Sequence, residues 1–329
     1  MKTPSATYPY RTASLKFFKA YLITMRPYLL FVSGITGIAG MAFSPDVPLT
    51  QSLCIGIAAF LSYGFGQALT DCFQIDTDSI SSPYRPLTRG WITPAQVLTV
   101  SLAGLSLCIG IIGFYNPLTL PLGLLAGLGL ATYTPFKRRW WAGPFYNAWI
   151  VALLCVIGSL AAGVPATLLA SGRYLLCLLT VFFGYANFVL AGYFKDIEAD
   201  RQTGYRTLPV VRGRRVSSAV SDLFAAIAAG CALLLLSVPT GRIDLSPGRI
   251  PAFAFLAAGI AASVRGQFLL RRVKTDEGAH PAIALTVHSY VLLLSAIASS
   301  LKPLWSVLLA VFYLGFVIVL RIRPEKNQI

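Results

Sequence analysis

Half of the twelve acidic residues in this 329-residue chain sit in two short windows. The first, "LTDCFQIDTDSISSPYRPLTRG" (Leu69–Gly90), carries Asp71, Asp76 and Asp78; the second, "YFKDIEADRQTGYRTLPVVRG" (Tyr193–Gly213), carries Asp196, Glu198 and Asp200. Asp196 and Asp200 are four residues apart, which puts both carboxylates on one face of a helix. Like charges so placed repel unless something positive lies between them, and a hard divalent cation meets that need. Mg2+ takes oxygen ligands, is usually held by one or two carboxylates, and completes its shell with water and phosphate oxygens. In the first window, Asp71 shares a helical face with Gln74, and Gln74 with Asp78, whereas Asp76 points elsewhere unless the helix has already ended. The candidate metal-ligating set is therefore Asp71, Gln74, Asp76, Asp78, Asp196 and Asp200, and the chemistry it suits is the binding of substrate phosphate oxygens through Mg2+. The competing reading is that these aspartates only pair with the arginines of their loops; the parallel patterns of the two windows favour the metal.

The elements that must carry these windows are membrane spans. The chain is 56% hydrophobic and 12% charged, against roughly 25% charged residues in a water-soluble domain. Apolar runs of about 18 or more residues recur along its length. They predict ten spans, at approximately 27–45, 51–71, 94–115, 117–134, 144–163, 174–194, 216–238, 250–270, 282–301 and 304–321, of which the fourth is short and glycine-rich. Both acidic windows begin at the same-side ends of spans, the second and the sixth. The expected fold is all-α: one polytopic transmembrane helical bundle over 1–329, ten spans in two four-helix halves around a central cavity, closed by the last spans. The segment before the first span is basic and lacks a cleavable signal pattern, so no processing is expected.

The net charge of +15 raises the question of nucleic acid, and its distribution answers it. With ten spans, 22 of the 27 Lys and Arg residues fall in the two termini and the loops on their side, and 4 on the opposite side. Such a bias is the positive-inside pattern. It predicts a multi-pass integral membrane protein with both termini and the acidic windows on the cytoplasmic side, and excludes nucleic acid as a partner. The six cysteines (54, 72, 108, 155, 177 and 231) are scattered without a metal spacing and read as small apolar filler.

The windows share more than acid. Each runs from aspartates at a helix end into a loop with Arg beside Pro-Leu or Leu-Pro, then Arg-Gly: Arg85-Pro86-Leu87-Thr88-Arg89-Gly90 and Arg206-Thr207-Leu208-Pro209-Val210-Val211-Arg212-Gly213. They lie four spans apart, so the chain reads as a weak internal repeat, which places a site between the halves.

At these residues the chain resembles the UbiA superfamily of intramembrane prenyltransferases. Asp196-Ile197-Glu198-Ala199-Asp200, with Gly204 to Val210, resembles the family's second motif, and Pro83-Tyr84-Arg85-Pro86-Leu87 with Gly90 its first loop. Arg26-Pro27 and the stretch Tyr133 to Trp149, "YTPFKRRWWAGPFYNAW", are also family-like. The resemblance covers roughly residues 20–300. The first motif departs from the pattern: Thr70 replaces the usual Asn and Gln74 the middle Asp, while Asp76 is extra. Either Asp76 supplies the missing carboxylate or the first metal is held more weakly.

The resemblance implies an enzyme that ionises an allylic prenyl diphosphate with Mg2+ and transfers the prenyl group to an aromatic or other lipophilic acceptor. It implies catalytic roles for Asp71, Asp78, Asp196, Asp200 and Lys137. Arg26, Thr70, Arg85, Tyr133, Asn147, Asn187, Lys195 and Arg206 become candidate substrate-binding residues. The allylic cation needs a dry, aromatic-rich pocket, and Phe73, Tyr133, Phe136, Tyr146, Phe183, Tyr185 and Tyr193 lie near the acidic helix ends in sequence. Gly123 and Gly127 read as a close helix-packing pair. Two other functions use the same features. A cyclase of the same family would let the cation attack its own chain. A secondary transporter fits ten spans with a repeat, but transporters place charged groups at the bilayer midplane in broken helices, not at helix ends on one side.

Overall fold

The structure is a computed structural model that describes residues 9–237 and 248–323. Lys2, Arg242 and Lys326 of the charge count, and the end of the seventh predicted span, lie outside the described residues. The described residues form fifteen α-helices: α1 (Leu15–Met25), α2 (Leu30–Met41), α3 (Leu49–Asp71), α4 (Ile75–Ser81), α5 (Pro94–Tyr115), α6 (Thr119–Ala131), α7 (Tyr133–Lys137), α8 (Ala142–Ala161), α9 (Ala166–Leu169), α10 (Gly172–Gly192), α11 (Ile197–Gln202), α12 (Leu208–Ser237), α13 (Ile250–Arg271), α14 (His280–Leu301) and α15 (Ser306–Arg321). No strand occurs among the described residues. Among the described residues, eight helices are long and apolar enough to cross a membrane, nine if α1 and the segment through α2, bent by 47°, count as one span. The expected fourth span is the short helix α6, and the expected tenth is α15.

The bend has a local cause. Arg26 precedes Pro27, and a residue before proline is driven out of the right-handed helical region. Arg26 adopts φ 53°, ψ 72° instead, ending α1 and starting a new turn. Helix α5 begins on a capping box in which Thr93 and Gln96 bond each other's backbone N–H groups, and the Gln96 amide also donates to the Tyr10 carbonyl ahead of α1.

The largest apolar cluster is built from α2, α8, α10, α12, α13, α14 and α15. Helices α2 and α8 approach backbone to backbone: a Cβ on Gly40 would lie 2.2 Å from the Cys155 carbonyl oxygen, and one on Gly158 2.8 Å from that of Gly37. The close pairing expected of Gly123 and Gly127 is met only in part. An added Cβ on Gly123 would touch Ile109, but one on Gly127 meets nothing within 4 Å. Asp222 of α12 pairs with Arg271 of α13, at 2.5 Å.

The repeat is visible in the backbone. Each half runs from a long helix (α3 or α10) through a short cap helix (α4 or α11) into a loop. The first loop closes on Gly90 (φ 69°) before α5 begins, and in the second half Gly213 (φ 75°, ψ 169°) puts a kink near the start of α12. Only glycine takes that conformation without a Cβ clash, which accounts for the Arg-Gly at the end of both windows.

Candidate active site

The two cap helices pack against each other over one end of the bundle, with the hydroxyls of Thr77 and Thr203 3.1 Å apart. Beneath them lies a polar cavity of about 110 Å³. The first window supplies Thr70, Asp71, Gln74, Asp78 and Arg85 to its wall, and the second supplies Lys195 and Asp196. Arg26 reaches it from the bend before α2, Tyr133 and Lys137 from α7, and Asn147 from α8. Windows more than a hundred residues apart therefore share one chamber.

Four residues singled out from the sequence lie elsewhere. Asp76 points outward, 3.4 Å from Arg138 and from the Tyr205 hydroxyl. Arg206 is exposed. Asn187 is buried between α10, α12 and α13, where its side-chain oxygen accepts hydrogen bonds from Ser221 and Gln267 and ties the helices together. Asp200 is fully buried behind the wall, accepting from Thr207 at 3.1 Å and lying 3.4 Å from Lys137 Nζ. Asp196 is the N-cap of α11 and faces the chamber, while Asp200, one turn on, meets α7 and the α12 entry instead.

The aspartates do pair with arginines, so the competing sequence reading is also realised. Arg26 Nη2 donates to both oxygens of Asp71 at 2.9 Å. Asp78 accepts from Arg85, which also stands 3.9 Å from Asp71. Lys137 Nζ donates to Gln74 Oε1 at 3.0 Å, joining the first window to Asp200 of the second. Its neighbour Tyr133 bonds the Tyr193 hydroxyl at 2.8 Å. Two wall residues escaped sequence reasoning. Gln67 donates to Asp71 Oδ1 at 2.7 Å, and its signal was available: a glutamine one helical turn before Asp71 in an apolar span. Tyr63, 3.4 Å from the Tyr185 hydroxyl, carried no signal. Of the other aromatics singled out, Phe73 is exposed, Phe136 stacks on Tyr146, and Phe183 packs on Phe182 and Phe224, all away from the wall.

Burial and neighbouring charge set the titration of these groups in opposite ways. Burial, helped by Asp71, raises the Asp78 carboxyl above its ordinary range despite Arg85. Asp196 also suffers burial, but Lys195, Lys137 and Arg85 together outweigh it and hold its carboxyl low. Asp200 is pushed up to about 6 by burial, which Lys137 only partly offsets. Lys137, desolvated but facing Asp200 and Asp196, is held above the ordinary lysine range.

The donor chemistry of the chamber fits a hard cation: three carboxylates and the Gln74 amide oxygen, with no sulfur or imidazole. Among the described residues no group of three or more His, Cys, Asp or Glu side chains converges on one point. A cation here therefore needs water or substrate oxygens to complete its shell, as Mg2+ ordinarily does.

Below the polar chamber runs a second cavity of about 110 Å³, lined by α3, α5, α6 and α8 and predominantly apolar. The two share the walls Tyr63, Gln67, Thr70, Asn147 and Tyr185. The far end is formed by Ile112, Thr119 and Ile157; the two isoleucines belong to an apolar cluster that also holds Met41 and Ile55.

A model of the UbiA prenyltransferase family matches residues 30–284. The chain is 27% identical to the digeranylgeranylglyceryl phosphate synthase of Thermococcus kodakarensis over 86% of its own length and 99% of that protein. It is 30% identical to the synthase of the same name from Halobacterium salinarum, over 68% of this chain and 81% of that one. Its fold resembles that of a UbiA homolog from Aeropyrum pernix (TM-score 0.66, 18% identity, 79% of this chain and 94% of the other). It also resembles a UbiA homolog from Archaeoglobus fulgidus bound to DMAPP and Mg2+ (TM-score 0.60, 17% identity, 84% and 98%).

Proposed function

The chain belongs to the UbiA prenyltransferase family, and from that membership we propose that it moves the prenyl group of an allylic diphosphate to a lipophilic acceptor within the bilayer. One observation carries the reading: a polar chamber, where both acidic windows meet four cationic side chains, opens through shared walls into an apolar slot. A prenyl diphosphate divides in the same way, into a polyanionic head and an apolar tail.

In this reading Arg26, Arg85, Lys137 and Lys195 surround the diphosphate with fixed positive charge. Arg26 and Arg85 are in turn oriented by Asp71 and Asp78, so little reorganisation is needed as negative charge builds on the leaving oxygen. Asp71, Asp78, Asp196 and the Gln74 oxygen would hold Mg2+, which when bound supplies Lewis-acid neutralisation of the diphosphate. The C–O bond breaks with both electrons leaving on the diphosphate. The Tyr63, Tyr133 and Tyr185 rings and the predominantly apolar lining of the slot preserve the allylic cation until the acceptor's nucleophile bonds to it and gives up a proton. Thr70 and Asn147, in the shared wall, orient the head against the tail.

A lipid alcohol is the favoured acceptor class, supported by the likeness to digeranylgeranylglyceryl phosphate synthases at 27–30% identity. The charge bias of the loops supports a cytoplasmic position for the acidic end.

The test is mass spectrometry of products formed by the purified protein from labelled geranylgeranyl diphosphate, Mg2+ and a panel of lipid alcohols and phenols. Prenylated acceptor, lost in Asp196→Ala, supports the proposal. A terpene hydrocarbon formed without acceptor replaces transfer by cyclisation. Substrate flux across vesicles without diphosphate release returns the transporter.

A further inference from the structure

Helix α6 is short and contributes Thr119, Gly123, Ala126, Gly127 and Leu130 to the slot. Its glycines are not equivalent. A Cβ on Gly123 would lie 2.9 Å from Ile109, and one on Gly129 2.8 Å from Trp149, so neighbouring side chains already fill those spaces. At Gly127 nothing lies within 4 Å. The missing side chain at Gly127 is therefore not required by helix packing; it leaves room in the slot. Leu130, at the chamber end of the slot, lies one turn beyond Gly127. At 1.5 Å per residue, Gly127 stands roughly 5 Å down a slot that runs roughly 16 Å from Leu130 to Thr119.

We propose that Gly127 sets the length of prenyl donor the enzyme accepts: its bare backbone admits tails that extend past the first turn of the slot, and any side chain there shortens the accepted tail. The inference rests on the transferase reading above. The occupant is the donor's tail rather than the acceptor's because the slot meets the chamber at Gln67 and Thr70, beside Asp71, where the diphosphate to which that tail is attached would bind. The far end, closed by Ile112 and Ile157, gives the slot an upper limit of length as well.

The experiment compares the wild-type chain with Gly127→Ala, Gly127→Val and Gly127→Leu, and with Gly110→Leu as a control. An added Cβ on Gly110 also meets nothing within 4 Å, but the residue is exposed and does not line the slot. Donors are dimethylallyl, geranyl, farnesyl and geranylgeranyl diphosphate, each measured by kcat/KM and by binding of the unreactive thiodiphosphate analogue. The expected result is a graded loss for the longest donors, reaching about tenfold or more in Gly127→Leu. Dimethylallyl diphosphate should stay within about twofold of wild type, and Gly110→Leu should not change the ratio. If the leucine variant does not fold, the alanine and valine steps still give the gradient. A long-to-short ratio that stays constant through the Gly127 series, or a change confined to acceptor preference, overturns the assignment. Wild-type protein that neither binds nor turns over any prenyl diphosphate overturns the transferase reading with it.

Discussion

Nη2 of Arg26 lies 2.9 Å from each carboxylate oxygen of Asp71, and the residue that makes this contact is the only non-glycine with positive φ among the described residues. The helix break at Pro27 and the placement of the guanidinium are thus one event: the strained backbone aims the side chain across 45 residues of sequence at the first acidic window.

Separating strain from charge gives the first prediction. Arg26→Gly relieves the left-handed backbone and Arg26→Ala does not, so the glycine variant should be the more stable of the two by about 1 kcal/mol. Both should lose turnover by about a hundredfold, the scale of removing one preorganised donor. Thermal unfolding in detergent and steady-state kinetics on the same preparations check both halves. Equal stability of the two variants would contradict the strain argument.

Gln74 is the residue at which the first window departs from two-sided acidity. Lys137 Nζ sits 3.0 Å from its oxygen, so a carboxylate there meets a cation already in place. Gln74→Asp should tighten Mg2+ binding by roughly tenfold, about 1.4 kcal/mol, in a titration followed by calorimetry with an unreactive diphosphate present. Unchanged affinity would mean that position 74 faces Lys137 alone.

Asp200 gives a pH signature. Burial raises its carboxyl to about 6, above the ordinary value of about 3.9. A carboxyl raised on folding favours the folded protein fully below its unfolded value, and that contribution is lost as pH climbs through the folded value. Metal-free protein should therefore lose part of its thermal stability between about pH 4 and 6. Asp200→Asn should flatten that part of the profile. An identical slope in the variant would assign the limb to other carboxyls.

The contact between α2 and α8 leaves no room for a side chain. Gly40→Ala places a methyl 2.2 Å from a backbone oxygen that cannot rotate away, so it should destabilise by about 1–3 kcal/mol or more. Gly127→Ala, the same chemical change in open space, should leave the unfolding temperature unchanged. The comparison is a pair of melting curves.

Much of this was legible in one dimension. Apolar runs about as long as a bilayer is thick determined the helical spans, because backbone polar groups in lipid can be satisfied only within a helix. The arrangement of twelve acids marked both halves of the site, because few acids are tolerated in such a chain and those present are concentrated. The Arg-Gly pairs marked the end of the first loop and the kink in α12, because glycine accepts those backbone angles without a Cβ clash. What the linear order left open was which groups share a chamber. Spacing put Asp196 and Asp200 on one face, yet a helix start between them turns one toward the cavity and the other toward Lys137 and Thr207. Tyr63 gains its role only because α3 and α10 bring it beside Tyr185 in the shared wall, and Gly127 only because α3, α5 and α8 stop short of it. Periodicity reports which residues are apolar and on which face of one helix they lie. The direction of a buried charge, and a void between four helices, exist only once the helices are packed, and the tertiary structure alone decided them.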